Sequence, residues 1–400
     1  MRRSLAVLLV ATLIAACSPQ PSATASAPPG SLPAPTSTPA ASPVSSPSEA
    51  PSPGLAAWGE AYSSDPAVLD DIVAGPRGLI AAGCTSDASG TCLQALLLTS
   101  PDGVAWTTAN LDGAAHTLIS RLRRVGDRLF ALGYRIDDQA QRVDSVVWVS
   151  LDGRSWARVP SASSKSRVVT DIVASPTGNL AVGINAPYAS EGFGFIVWDV
   201  APDGAFSEPR DVRAPNLPPV AGAAWAGDRF LAWGLGGPLG GVQVNTFLSS
   251  PDGKAWTLVP EVAAFRGSAV SQVIVDGAGL VAVGYTDGQP SLPRAWTSSD
   301  GTAWQAAEVP ADPGAMYNVN VEGPQLVARG IGPAGAQERP LTWTSIDGNG
   351  WTLLPAGEDM PDLAGFRALE RAVLGGRACA AGTFYGDPRR PEPRAAIYCR

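Results

Sequence analysis

Six polar residues recur at one alignment position, at intervals of roughly fifty residues, in a chain of 400 residues. They are Asp71, Arg121, Asp171, Gln272, Asn318 and Glu370, with Gly222 at the remaining place. Each heads one of seven segments, 71–83, 121–133, 171–183, 222–234, 272–284, 318–330 and 370–382, which align without a gap. Val, Ile and Ala surround them, so polarity at this one place marks a special environment. The carboxylates Asp71, Asp171 and Glu370 could supply the acid/base or nucleophile pair of a glycoside hydrolase, whose separation decides the stereochemical outcome. Alternatively the set binds a cation, a sugar or a polar side chain. A purely structural reading competes with both: the residues are solvated or paired in a channel, for example Arg121 between Asp71 and Asp171.

The remaining composition narrows the chemistry. The chain contains a single histidine, His116, in a loop where solvation is the simple reading, so His-based metal sites and a Ser-His-Asp triad are disfavoured. The formal net charge of −8 argues against nucleic acid, whose phosphates need a basic footprint. Loop aromatics are a further binding candidate: Tyr188, Phe193 and Phe195 in a Gly-rich stretch, and Phe384 and Tyr385 later in the chain.

The elements that position these residues follow from the repeat. Each segment reads as a strand, a tight turn such as Gly75-Pro76-Arg77-Gly78, and a second strand. Every second strand ends in Ala-x-Gly, from Ala81/Gly83 to Ala380/Gly382, and small residues fixed in a strand suggest close approach of another group. A variable loop and a third strand follow, such as Ser145-Val146-Val147-Trp148-Val149. Next comes Ser250-Pro251-Asp252-Gly253-Lys254-Ala255-Trp256 or a close copy, at 100–106, 150–156, 298–304 and 345–351, with a worn copy at Asp203-Gly204-Ala205-Phe206. Asp-Gly between hydrophobic runs predicts a two-residue hairpin turn, with Gly at positive φ and the Asp carboxylate accepting backbone N–H groups. Asp102, Asp152, Asp203, Asp252, Asp300 and Asp347 are therefore read as structural turns, and each Trp as the opening of a fourth strand.

Four antiparallel strands in each of seven repeats predict an all-β fold, a seven-bladed β-propeller, with the first strand of each blade lining the channel. The last repeat stops at the end of its third strand, Ile397-Tyr398-Cys399-Arg400. The missing strand lies at the other end, in Ala56-Ala57-Trp58-Gly59-Glu60-Ala61-Tyr62, and should complete the last blade and close the ring. Cys84 and Cys92 fall around the second and third strands of the first blade, and Cys379 and Cys399 in those of the last. Four cysteines allow three connectivities; Cys84–Cys92 with Cys379–Cys399 is the local one, and a metal site lacks both C-x-x-C spacing and a nearby His.

Upstream, Met1-Arg2-Arg3 and the apolar run from Leu5 to Ile14 read as a signal peptide over 1–16. Leu13-Ile14-Ala15-Ala16-Cys17 resembles a bacterial lipobox, which implies acylation at Cys17 and an exported chain tethered to a membrane through lipid alone. Residues 17–54 are almost entirely Pro, Ser, Ala and Thr and read as a disordered spacer, leaving 55–400 for the propeller.

The Ser-x-Asp-Gly-x-x-Trp turns resemble the Asp-box (BNR) repeats of sialidases and related propellers, in a form one residue shorter between Asp and Gly. The resemblance covers 55–400 and implies the propeller fold. Sialidases have six blades, and their arginine triad opens in an Arg-Ile-Pro-like motif; the nearest string here is Arg135-Ile136-Asp137, so no catalytic residue carries over. Seven-bladed Asp-box propellers, which the chain also looks like, include photosystem assembly factors and glycan-binding or glycan-hydrolysing proteins. The expectation is a monomeric binding or scaffold module for a glycan or protein ligand at the cell envelope. It carries no catalysis and no cofactor, beyond a structural cation that the polar ring could hold. The alternative is a sialidase-like glycoside hydrolase working at the channel mouth.

Overall fold

Alternating β-branched runs broken by Gly-containing turns fold into strands, and the computed structural model contains seven four-stranded antiparallel sheets. It describes residues 57–400 apart from 138–141, 163–165, 186–193, 213–218, 237–243, 261, 278, 336 and 386–391. The signal peptide, Cys17 and the spacer lie outside the described residues, as do Tyr188 and Phe193.

The first strands of the seven blades are Ala67–Gly75, Thr117–Val125, Arg167–Ser175, Val220–Trp225, Ser268–Asp276, Ala315–Glu322 and Phe366–Leu374. Each neighbours the next, and the last neighbours the first, so they form the inner wall of a closed ring. The closing blade has the predicted make-up: Gly59–Ser64 pairs antiparallel with Arg394–Cys399. The first and last described strands thus share one sheet, which closes the ring at the seam.

The turns between first and second strands are the expected tight ones, with Gly75 paired to Gly78 and Val125 to Arg128. The Ser-x-Asp-Gly-x-x-Trp stretch is a wider turn: Thr99 pairs with Thr107 across the whole of 100–106. Its Asp does act as foreseen, since Asp102 Oδ1 accepts the N–H of Val104 at 2.9 Å and of Ala105 at 3.3 Å. Ser100 Oγ adds the N–H of Gly103 at 2.8 Å. The same bonds recur around Asp152, Asp252, Asp300 and Asp347. Asp203 keeps the N–H of Ala205. The Trp then precedes the fourth strand instead of opening it, and in four copies its Nε1 donates back to the Gly carbonyl. Because the turn takes up so many residues, most outer strands shrink to two, as in Thr107–Thr108.

The core lies between blades, not within one. Ile72 and Leu79 of blade one pack with Ala372, Cys379 and Ile397 of blade seven, and Ile80 and Leu97 pack with Leu122 and Trp148 of blade two. Four third-strand tryptophans, Trp148, Trp198, Trp296 and Trp343, are fully buried in these wedges. Cys84–Cys92 and Cys379–Cys399 are bonded in the local pairing, with Cys84 inside the second strand and not after it.

Candidate functional site

The inner wall carries one irregularity seven times. Pairing between first and second strands slips between Leu69 and Asp71, Ile119 and Arg121, Val169 and Asp171, Val220 and Gly222, Val270 and Gln272, Met316 and Asn318, and Arg367 and Glu370. A β-bulge therefore sits immediately before every ring position, and bulges re-aim side chains and free backbone groups. It also accounts for Ala-x-Gly. A Cβ on Gly83 would lie 1.9 Å from the Val68 carbonyl oxygen, and on Gly284 or Gly330 it would lie 1.8 Å from that of Ala269 or Ala315. The close approach anticipated at this glycine is the backbone of the bulged strand.

Most of the ring residues tie one blade to the next. Asp71 Oδ2 accepts the Leu122 N–H of blade two at 2.6 Å, and Gln272 Oε1 accepts the Val319 N–H of blade six at 2.9 Å. The Asn318 amide donates to the Leu369 carbonyl of blade seven. Arg121 Nη1 reaches the Thr170 carbonyl at 3.3 Å and the Ala221 carbonyl, two blades away, at 3.4 Å. The ring position in blade four is Gly222, where a Cβ would meet the Trp233 ring at 2.5 Å and Asp171 Oδ2 at 3.0 Å. Asp171 is the common anion, 3.4 Å from Arg121 and 2.7 Å from Arg123 Nε. Among the described residues Glu370 receives the Asn320 amide, at 3.3 Å. Buried peptide groups freed by the bulges need partners, and these side chains supply them.

The residue just before each ring position is Asp70, Ser120, Thr170, Ala221, Ser271, Tyr317 or Leu369, and all seven are partly exposed on the inner strand. Asp71, Asp171 and Asn318 are buried. Arg121, Gln272 and Glu370 stay partly exposed, so the bulge puts a second position on the inner wall beside the ring, which the gap-free alignment did not single out. The available signal was polarity at this second position in five of seven repeats.

Electrostatically the wall divides in two. Around Arg123 burial works against the charge, but Asp171 and Asp71 outweigh it and hold the guanidinium protonated. On the blade-one and blade-seven side the acids dominate. Burial first, and the neighbouring Asp71 second, push Asp70 up to about 7 and Glu370 likewise to about 7. Asp71 is raised too, chiefly by burial, against the pull of Arg123 and the Leu122 N–H. In the unfolded chain these carboxyls titrate near 4. Between about pH 4 and pH 7 the folded state therefore holds protons that the unfolded state lacks, so stability falls as pH rises through that window. The melting temperature should be a few degrees higher at pH 5 than at pH 8. Asp70→Asn with Glu370→Gln should flatten that slope; an unchanged slope in the double variant would assign it elsewhere.

Of the aromatic candidates, Phe195 lies in the strand Gly194–Val200, fully buried and edge-on to Trp256 at 4.9 Å, so it is core. Phe384 ends a second strand and packs on Phe366 and Tyr398. Tyr385 is 43% exposed, with the Arg367 guanidinium 5.4 Å over its ring. His116 is exposed, in its loop. Among the described residues no three His, Cys, Asp or Glu side chains converge as a cation site requires.

No family model matches the chain, and no curated protein matches it. Solved structures do. The uncomplexed acylaminoacyl peptidase of Pyrococcus horikoshii superposes with a TM-score of 0.52 at 11% identity, over 86% of this chain and 52% of that one. The β-propeller domain of the Trilobed protease from Pyrococcus furiosus gives a TM-score of 0.50 at 11% identity, over 83% of this chain and 95% of that one. Trypanosoma rangeli sialidase gives 0.46 at 14% identity, over 74% and 56%. This chain thus spans about half the length of the peptidase and sialidase chains. At such identities the likeness is one of fold alone, and the fold is a β-propeller.

Proposed function

We propose that the chain is an exported propeller, tethered through a lipid on Cys17 and a spacer over 17–54, that acts as a monomeric binding or scaffold module for a glycan or protein ligand. The wide turns are read as shortened Asp boxes, each a structural corner. The observation that carries the reading is the use made of the ring: Asp71, Asp171, Gln272 and Asn318 bond to neighbouring backbone or arginine. A catalytic pair would need free carboxylates at a defined separation. A thermal-shift screen of the purified protein against a glycan panel tests the reading, because a ligand that binds only the folded state raises the melting temperature. A reproducible shift without turnover of the bound glycan is expected; hydrolysis of that glycan would overturn the non-catalytic reading.

One observation favours the hydrolase alternative. Glu370 and Asp70, both pushed up to about 7, would be protonated often enough near neutrality to serve as general acids. Turnover of an arylglycoside, abolished by Glu370→Gln, would establish it.

A further inference from the structure

We infer that the face of the propeller that carries its turns docks on a lipid bilayer, with the exposed aliphatic side chains of Val104, Leu151, Val275, Val321, Ile346 and Val373 entering the headgroup layer. This adds a contact of the folded domain to an attachment expected through lipid alone, and it rests on the tethered reading above for the presence of the membrane.

Strands alternate in direction within each blade. The hairpins between first and second strands and the Ser-x-Asp-Gly-x-x-Trp turns between third and fourth therefore fall on one face of the ring. Val275, Val321 and Val373 stand three residues past the ring position in blades five, six and seven, beside the hairpins, and their first strands are successive neighbours. Val104, Leu151 and Ile346 ride on the wide turns of blades one, two and six. Exposure among the six runs from 36% at Val275 to 69% at Ile346. Turn tips ordinarily carry Gly, Pro or small polar residues. Other copies obey that rule at the place of Leu151 and Ile346, with Pro101, Pro251 and Ser299. The turn itself does not require the aliphatic chain, because its bonds come from Ser150 and Asp152, or from Ser345 and Asp347.

The place where the propeller begins says what covers this face. Gly59 opens the N-terminal strand and pairs with Cys399, at the end of the last third strand, so the propeller starts on the turn face. Cys17, the acylation site of the tethered reading, lies about forty residues upstream, a mean span of about 35 Å for a flexible coil. A tether of that length holds the face near the bilayer at an effective concentration in the millimolar range, so a modest affinity is enough to keep it docked. Aliphatic side chains supply that affinity by leaving water for the boundary between headgroups and acyl chains. Charge does not drive the contact. Exposed Arg124, Arg154 and Lys254 are interspersed with the turn aspartates, so the face carries both signs and its docking should respond little to salt. The opposite face, where second strands pass into third, then points away from the membrane and stays open to a ligand.

The test is co-sedimentation with vesicles of phosphatidylcholine and phosphatidylglycerol, using the processed chain that the lipobox implies, residues 17–400, acylated and as Cys17→Ala. At high lipid the Cys17→Ala chain should still partition, at low and high salt alike. Leu151→Ser with Ile346→Ser should lower its partition coefficient by at least about tenfold. Both serines have a precedent in Ser299, so the turns should hold, which an unchanged melting temperature checks. Leu93→Ser, at an exposed leucine on the opposite face, should leave partitioning as it was. In the acylated chain, vesicles should slow amide hydrogen exchange over 345–351 and leave 86–92, on the opposite face, unchanged. Absence of partitioning by the Cys17→Ala chain, equal partitioning of the double variant, or equal protection of both segments overturns the inference. So does a dimer in sedimentation velocity that the double variant dissociates, which would make the face a contact between copies of the chain. Sedimentation of the acylated chain alone would leave the tether standing without the docking face; equal sedimentation of both forms, lost in the double variant, would leave the docking face standing without the tether.

Discussion

Asp359→Ala is expected to destabilise the propeller by about 3–5 kcal/mol, the largest effect of any single side-chain truncation considered. Asp359 lies on the connection into blade seven and is 8% exposed. It accepts Arg329 Nε at 2.7 Å, Arg329 Nη2 at 3.2 Å and Thr342 Oγ1 at 3.0 Å. Arg371 Nε pairs with its other oxygen at 3.2 Å. Glu322 bridges the two guanidiniums, 2.6 Å from each. Arg329 is completely buried. It takes the middle place of Ala-x-Gly in blade six, where other blades have Ala82, Leu132, Val182, Trp233, Val283 and Ala381. Deleting Asp359 leaves the buried Arg329 and the half-buried Arg371 guanidiniums to share one carboxylate, and an unpaired buried charge costs far more than the pair contributes.

Burial alone would push the Asp359 carboxyl up, but Arg329 and Arg371 outweigh it and hold the group below the ordinary range. Its contribution is present above the unfolded-state value near 4 and is lost as pH falls through the depressed one. This is the opposite sign to that of Asp70 and Glu370. Urea denaturation at pH 7 is the direct measurement. A loss of less than about 1 kcal/mol would mean that the network is solvated and not buried. Joint replacement of Arg329, Asp359, Arg371 and Glu322 by apolar residues of similar size should cost much less than Asp359→Ala alone.

Gly284→Ala is expected to cost about 3 kcal/mol or more, although Ala is ordinarily the better strand residue. The new Cβ would lie 1.8 Å from the Ala269 carbonyl oxygen and 2.9 Å from its carbon, both backbone atoms that cannot rotate away. The bulge must straighten or the strands must part. Straightening would move Gln272 off the Val319 N–H and so weaken the tie between blades five and six. Gly330→Ala, with the same 1.8 Å conflict against Ala315, should behave alike. Gly350→Ala is the control: nothing lies within 4 Å of its added Cβ and its φ is ordinary. It should be neutral or stabilising by up to about 1 kcal/mol. Equal melting temperatures for Gly284→Ala and Gly350→Ala would dissociate the recurring glycine from the bulge.

Much of the architecture was legible because it rests on short-range chemistry. An Asp that bonds N–H groups two and three residues ahead, as Asp102 does with Val104 and Ala105, leaves its mark within one turn. Six such turns and seven Ala-x-Gly endings count the blades, and the unfinished last repeat calls for a strand from the other end. The two disulfides were readable for the same reason, since each closes a local hairpin.

The site was less legible. The alignment placed Asp71 and its equivalents on the inner strands, and they are there, but the bulge turns several of them into inter-blade ties and presents Asp70 and its equivalents beside them. A bulge is a property of pairing between two strands, so a gap-free alignment of the strands with one another passes over it. The width of the turn around each Asp, and the two-residue outer strands that result, depend in the same way on which residues pair across it.

The sequence by itself determined the all-β class, the number of blades, the closure by the N-terminal strand and the chemistry of the corners, because each follows from bonds made within a few residues and repeated at a fixed interval. Only the tertiary structure decided which polar side chains serve as ties and which remain unpartnered, and that Arg329 meets Asp359 and Arg371 across the last blade interface. Those pairings join residues far apart in the chain, and their energies depend on burial and on the absence of water, which no local pattern encodes.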